Sequence, residues 1–194
     1  GFRVLPGERW LDCGANIGAF AVWAAKQGAM VFAFEPSSRN YGLAQQNAIL
    51  NNVTVELQQR AVVKSSDGLM EFYEHEKAPW RSSLFAKRGA AIEFVETVAL
   101  QGLIDELRPD GVKLDIEGSE LAILDAETRW GTTKKLVLEY HYDRDSSLEN
   151  AKRRAVKLKK TFQQCSLSKA TFNGGHWFHY PPCDMWFFWN SEAL

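Results

Sequence analysis

One run constrains this chain more than any other: Trp10-Leu11-Asp12-Cys13-Gly14-Ala15-Asn16-Ile17-Gly18-Ala19-Phe20. It opens as a short apolar strand, passes through a turn of small residues and continues as a helix. Ile17, Phe20, Ala21, Ala24 and Ala25 recur at helical spacing and predict one buried helix face. The turn reads Asp-x-Gly-x-Asn-x-Gly. Gly14, lacking a Cβ, allows a sharp turn and the close approach of a ligand. Asn16 stands where a left-handed residue is often required, and Asn tolerates that conformation better than most residues. The free N–H groups of the helix then face whatever lies over the turn.

Two ligand types use a strand, a glycine turn and a helix. A dinucleotide site requires Gly-x-Gly-x-x-Gly, but counting from Gly14 places Asn16 and Ala19 at the second and third glycines. The turn of S-adenosylmethionine enzymes, Asp-x-Gly-x-Gly-x-Gly, is matched except at Asn16. That cofactor carries no phosphate, and Asp12 suits its cationic amino-acid part better than a pyrophosphate. The expected contacts are Asp12, Gly14, Ala15, Asn16 and Gly18. Downstream, residues 29–34 form a continuous apolar run, as in a buried parallel strand. It ends in Glu35-Pro36, roughly 20 residues beyond the glycines, where an acid accepts hydrogen bonds from both ribose hydroxyls. Pro36 stops the strand, and Ser37 or Ser38 can cap the next helix.

Four blocks occur in order: Asp-Cys-Gly-Ala-Asn-Ile-Gly-Ala-Phe, Phe-Glu-Pro-Ser-Ser-Arg-Asn, Asn-Ala-Ile-Leu-Asn-Asn and Val-Lys-Leu-Asp-Ile-Glu-Gly-Ser-Glu. Together they resemble the FkbM family of S-adenosylmethionine-dependent methyltransferases, from Asp12 to Glu120, and the last block is the most specific. The resemblance fades after Glu139. It implies an α/β fold of class I methyltransferase type: a Rossmann-like, doubly wound, mostly parallel seven-stranded sheet with an antiparallel C-terminal strand. It also implies O-methylation of a small acceptor, with a hydroxyl of a sugar or glycan the expected one. The alternatives are a non-catalytic S-adenosylmethionine-binding module and an NAD-dependent oxidoreductase.

The 194 residues suffice for a single methyltransferase domain over 1–194 with a full core. The first strand follows Gly1 closely, whereas such enzymes usually carry a helical segment before it, so the domain is expected to belong to a longer protein or a trimmed one. A formal net charge of -1 argues against nucleic-acid binding. No apolar run of spanning length and no basic-then-apolar leader is present. The three cysteines, Cys13, Cys165 and Cys183, lack Cys-x-x-Cys spacing, and a reducing cytoplasm is the simplest reading.

Along the chain, strands are predicted at 9–12, 29–34, 53–57 (an edge strand), 69–73, 94–100, 111–116, 135–140, 166–171 and 185–189. Helices are predicted at 17–27, 39–50, 101–107, 119–126 and 148–162. The turn 65–68 before the strand 69–73 predicts a hairpin. The segment after the third strand, including Gln59, Arg60 and Ala61, is where the adenine would lie. Residues 75–88 form an irregular loop that could be a lid or a surface excursion. Lys152, Arg153, Arg154, Lys157, Lys159 and Lys160 read as a solvated helix face.

Methyl transfer is an in-line displacement and depends mostly on positioning. Reactive groups should lie at the carboxyl ends of the central strands. Asp115 and Glu117 end the fourth strand of the sheet and would share one side if it continues that far. Glu139, His141 and Asp143 end the fifth. The catalytic candidates are therefore Asp115, Glu117, Glu139 and His141, with Asp115 also near the cofactor. His141 has the intrinsic pKa of a base near neutrality. The same acids and imidazole could instead hold magnesium or manganese, which would acidify the acceptor, and the spacing leaves both open. Lys113 is expected to be buried against an acid. Trp177, Phe178 and Tyr180 could contact an acceptor or close a core.

Overall fold

The computed structural model describes residues 3–66, 68–74, 84, 91–117, 119–141, 147–169 and 183–190. Strands β1 (Arg9–Cys13), β2 (Met30–Phe34), β3 (Glu56–Gln58), β7 (Gly111–Leu114), β8 (Lys135–His141), β9 (Gln164–Lys169) and β10 (Cys183–Trp189) make one sheet. Its order is β3-β2-β1-β7-β8-β10-β9. β1 pairs in parallel with β2 and β7, β2 with β3, and β7 with β8. β10 runs antiparallel to both β8 and β9. This is the predicted seven-stranded, mostly parallel sheet with its opposed C-terminal strand. The strand order reverses between β1 and β7, and in open α/β sheets ligands bind at such a switch point, beyond the carboxyl ends of the strands.

The central strands are largely apolar because both faces are covered, with the Asp12–Lys113 pair of β1 and β7 the exception. Leu11, Cys13, Phe32, Phe34, Val112, Leu114, Leu136 and Leu138 face one buried cluster. Trp10, Val31, Ala33 and Val137 face the other, against Ala21 and Ala24 of helix α1 (Ala19–Lys26). Each fully buried Leu or Phe contributes on the order of 1.5–3 kcal/mol. The C-terminal half adds stacked Tyr140 and Trp186, with ring centroids 4.2 Å apart.

Helix α2 (Ser38–Leu50) is capped by Ser37, whose hydroxyl accepts from the Asn40 amide at 3.2 Å. Helices α3 (Leu100–Leu107), α4 (Glu120–Asp125) and α5 (Leu148–Thr161) complete the described helices. A three-stranded sheet stands apart, built from β4 (Ala61–Val63), β5 (Leu69–Glu74) and β6 (Ala91–Ala99).

Four expectations change. The predicted hairpin does not form: β6 lies between β4 and β5, parallel to the first and antiparallel to the second. A local turn signal cannot reveal that a distant strand takes the place between. Helix α1 begins at Ala19, and Ile17 belongs to the turn, 43% exposed. Strand β7 ends at Leu114, so Asp115 and Glu117 lie beyond it. Arg154 leaves the solvated face of α5. It is buried, with Nε and Nη2 on the two oxygens of Asp125 at 2.9 and 2.5 Å and Nη1 on the Tyr140 hydroxyl at 2.7 Å. The predicted 75–88 loop (Leu84 excepted), Asp143 and the aromatic loop at 176–180 lie outside the described residues.

Candidate active site

The turn after β1 is zipped to β2. The Gly14 and Ala15 amides both donate to the Phe34 carbonyl, at 2.9 and 3.0 Å. The backbone then passes through three left-handed residues, Gly14 (φ 80°), Asn16 (φ 52°) and Gly18 (φ 80°). Asn16 thus adopts the predicted conformation. Gly14 is required more by the fold than by a ligand: an added Cβ would lie 1.8 Å from the Asp115 carbonyl oxygen. The turn after β1 and the end of β7 come into close backbone contact, which brings Asp115 to the glycine turn.

Glu35, at the end of β2, is 5% exposed. Its Oε2 accepts from the Asn16 amide at 2.7 Å and its Oε1 from the Ser37 amide at 3.0 Å. The acid therefore braces the turn, a role that sequence reasoning missed. Burial pushes its carboxyl up, the two amide hydrogen bonds pull it back in part, and it settles at about 7. Each carboxylate oxygen has a second lone pair, so Glu35 can also accept from two hydroxyls. Pro36 follows, its carbonyl accepting from Gln59 Nε2 at 3.4 Å.

Asp12 differs from expectation. It is wholly buried, and the cation it meets is Lys113, with Nζ 3.1 Å from Oδ1. Lys113 Nζ also donates to the Gly14 carbonyl at 3.0 Å and lies 3.4 Å from Asp115 Oδ2. The expected pairing with an acid is thus present, with the lysine side chain 12% exposed. Burial disfavours the Lys113 charge, but Asp12 and Asp115 more than offset it and raise its pKa. Arg60 is turned to Glu96, Nε to Oε2 at 3.1 Å. The Ala61 side chain packs in the small sheet with Phe72 and Val95.

The glycine turn and Glu35 fit S-adenosylmethionine. The turn presents backbone groups, the adjacent Lys113 cation is engaged by Asp12, Asp115 and the Gly14 carbonyl, and a buried carboxylate with spare lone pairs stands at the end of β2.

The second half of the site lies beyond β7 and β8. Asp115, Glu117 and His141 each offer a ligand atom within 4.8 Å of the others. Glu117 arrives there through a left-handed backbone (φ 53°), not by strand alternation. His141 is held by an acid from α4: its Nδ1 is hydrogen-bonded to Glu120 Oε1 at 2.6 Å, and Glu120 is fully buried. Its Nε2 lies 3.8 Å from Glu117 Oε2. Burial alone would lower the His141 pKa. The hydrogen bond and charge of Glu120, with the charges of Glu117 and Glu139, outweigh burial and hold it at about 9. An imidazole so paired holds its proton well above the intrinsic value that its sequence suggests. Glu139 sits two residues before His141 on β8, where its charge supports the imidazolium. Sequence reasoning gave Glu120 no role, although it closes the most specific of the four family blocks.

The model of the methyltransferase FkbM domain matches residues 12–159. No curated protein matches the chain significantly. Solved structures share the fold. The precorrin-6Y C5,15-methyltransferase of Geobacter metallireducens is 14% identical, with 97% of this chain and 83% of that one covered and a TM-score of 0.51. An rRNA methylase of Streptococcus thermophilus is 13% identical, at 96% and 90% coverage and a TM-score of 0.52. An S-adenosylmethionine-dependent O-methyltransferase of Thermotoga maritima is 15% identical, at 96% and 60% coverage and a TM-score of 0.52. At such identities the likeness establishes the fold alone. The family match spans most of the chain, including the glycine turn, Glu35, Lys113, Asp115 and His141, and this chain belongs to the FkbM family of S-adenosylmethionine-dependent methyltransferases.

Proposed function

We propose that this enzyme transfers the methyl group of S-adenosylmethionine to a hydroxyl oxygen of a sugar or glycan. The observation that carries the reading is the meeting of the glycine turn with a cluster of acids and a histidine at the ends of β7 and β8. When bound, the cofactor supplies an electrophilic methyl group on its sulfonium. The chain's own residues do the rest. The 14–18 turn and Glu35 hold the cofactor, and Lys113, 3.4 Å from Asp115 Oδ2, pairs with Asp115 close to the turn. The acceptor hydroxyl approaches over the carboxyl ends of β7 and β8, and its proton leaves there to a carboxylate oxygen of Asp115 or Glu117.

The formal net charge of -1 suits a neutral acceptor better than a nucleic acid, and no described helix is long and apolar enough to cross a membrane. Cys13 and Cys165 are free thiols, which suits a reducing cytoplasm. The test is methyl transfer from labelled S-adenosylmethionine to a panel of sugars and glycans, with RNA and a tetrapyrrole as comparisons and mass spectrometry to locate the methyl group. The expected product is a methyl ether on a sugar oxygen. Methylation of carbon or nitrogen in RNA or tetrapyrrole, with none on hydroxyls, would overturn the acceptor class.

A further inference from the structure

We infer that Glu74 and Glu93, two carboxylates of the small sheet, are positioning residues of the cofactor site. Through Ser37, Ser38 and Gln59 they hold the segment after β2 so that Glu35 meets the ribose. The inference rests on the reading of Glu35 as the ribose acceptor.

The small sheet places both acids. β5 and β6 pair antiparallel, with Phe72 opposite Glu93 and Glu74 opposite Ala91. Glu74 stands two residues beyond Phe72 and therefore on the same face as Phe72 and Glu93. Phe72 and Val95 of that face pack with Ala61 of β4, while Ile92 and Phe94 of the other face are exposed.

From Glu74 an unbroken chain of hydrogen bonds runs to the glycine turn. The Ser37 hydroxyl donates to Glu74 Oε1 at 2.5 Å. The Ser37 amide donates to Glu35 Oε1 at 3.0 Å, and Glu35 Oε2 accepts from the Asn16 amide at 2.7 Å. Ser37 is wholly buried, so its hydroxyl proton is costly to leave without a partner. Capping α2 uses only a lone pair of that hydroxyl, which accepts from the Asn40 amide. The bond donated to Glu74 is one that capping does not require.

Glu93 grips the same segment from the other side. Its Oε2 lies 3.3 Å from both the amide and the hydroxyl of Ser38, which donate to it. Its Oε1 accepts from Gln59 Nε2 at 3.0 Å, and the same Gln59 amide reaches the Pro36 carbonyl. Pro36, Ser37 and Ser38 are thus each tied to a side chain from beyond β2. Hydrogen bonds from ribose hydroxyls to Glu35 form only within a few tenths of an ångström of the right place, and this bracket sets that place.

The test is calorimetry with two probes, S-adenosylhomocysteine and its 2′,3′-dideoxy analogue, which lacks the ribose hydroxyls. The parent should bind the first more tightly. Glu74→Ala and Glu93→Ala should each weaken S-adenosylhomocysteine about three- to tenfold and leave the analogue unchanged, which also shows that the variants are folded. Glu74→Gln should restore binding, because an amide oxygen still accepts from Ser37. Glu93→Gln should restore only part, because both Glu93 oxygens accept and an amide keeps one. Alanine variants that retain the parent's preference, or that lose both probes equally, overturn the positioning role and leave Glu35 as the ribose acceptor. A parent that binds both probes alike overturns the ribose role of Glu35 and this inference with it.

Discussion

Lys113 Nζ lies 3.1 Å from Asp12 Oδ1, an ion pair joining neighbouring strands β1 and β7 beneath the glycine turn. Asp12 is wholly buried and the Lys113 side chain is 12% exposed. Removing one partner of such a pair leaves a buried charge uncompensated, at a cost of about 3–5 kcal/mol. Lys113→Met should therefore lower stability by that amount in urea unfolding. The double variant Asp12→Leu/Lys113→Met should recover much of the loss. A single variant as stable as the parent would mean that the pair does not hold the two strands together.

Two glycines separate backbone strain from steric space. Gly7 and Gly14 have almost the same φ, 81° and 80°. Nothing lies within 4 Å of a Cβ built on Gly7, whereas one on Gly14 meets the Asp115 carbonyl oxygen at 1.8 Å. Gly7→Ala should cost about 1–2 kcal/mol, the left-handed penalty of an L-residue. Gly14→Ala should cost more than that and abolish S-adenosylhomocysteine binding, because Asp115 must move. Thermal unfolding and calorimetry of both variants check this, and equal losses would contradict it.

Glu35 should make the protein sensitive to pH. Its carboxyl sits at about 7 in the fold against an ordinary 4.5. The folded chain thus holds a proton that the unfolded chain releases between these values, and stability falls as pH rises from about 4.5 to 7 and levels above. The change is on the order of 3 kcal/mol. Glu35→Gln should flatten it in urea titrations across that range. Ribose hydroxyls donate to the ionised form, so S-adenosylhomocysteine affinity should rise by up to about tenfold from pH 6 to pH 8. A pH-independent affinity in the parent protein would mean that Glu35 does not receive the ribose.

Much of this architecture is legible in the chain because local chemistry and final fold agree. The apolar runs ending at Cys13 and Phe34 are strands buried on both faces. Asn16 takes the left-handed turn expected of it, and Ser37 caps α2. The illegible parts are those decided by distant partners. Gly14 looks like a concession to a ligand, yet the close neighbour is the Asp115 backbone. Asp12 looks like a cofactor acid, yet its charge is met by Lys113 from the adjacent strand. Arg154 lies among cations in sequence, but α5 lays it against Asp125 and Tyr140. The intrinsic pKa of His141 suggests a base. Only the fold brings Glu120 to its ring, and that contact raises its pKa.

The turn from Asp12 to Gly18, with Glu35, is the proposed S-adenosylmethionine site. Calorimetry with S-adenosylhomocysteine tests it most directly, on the parent protein, on Glu35→Ala and with NAD as competitor. Micromolar binding is expected, roughly -8 kcal/mol, with a loss of about 1.5–3 kcal/mol in folded Glu35→Ala and no displacement by NAD. Tighter binding of NAD, or an unchanged affinity in folded Glu35→Ala, would contradict it.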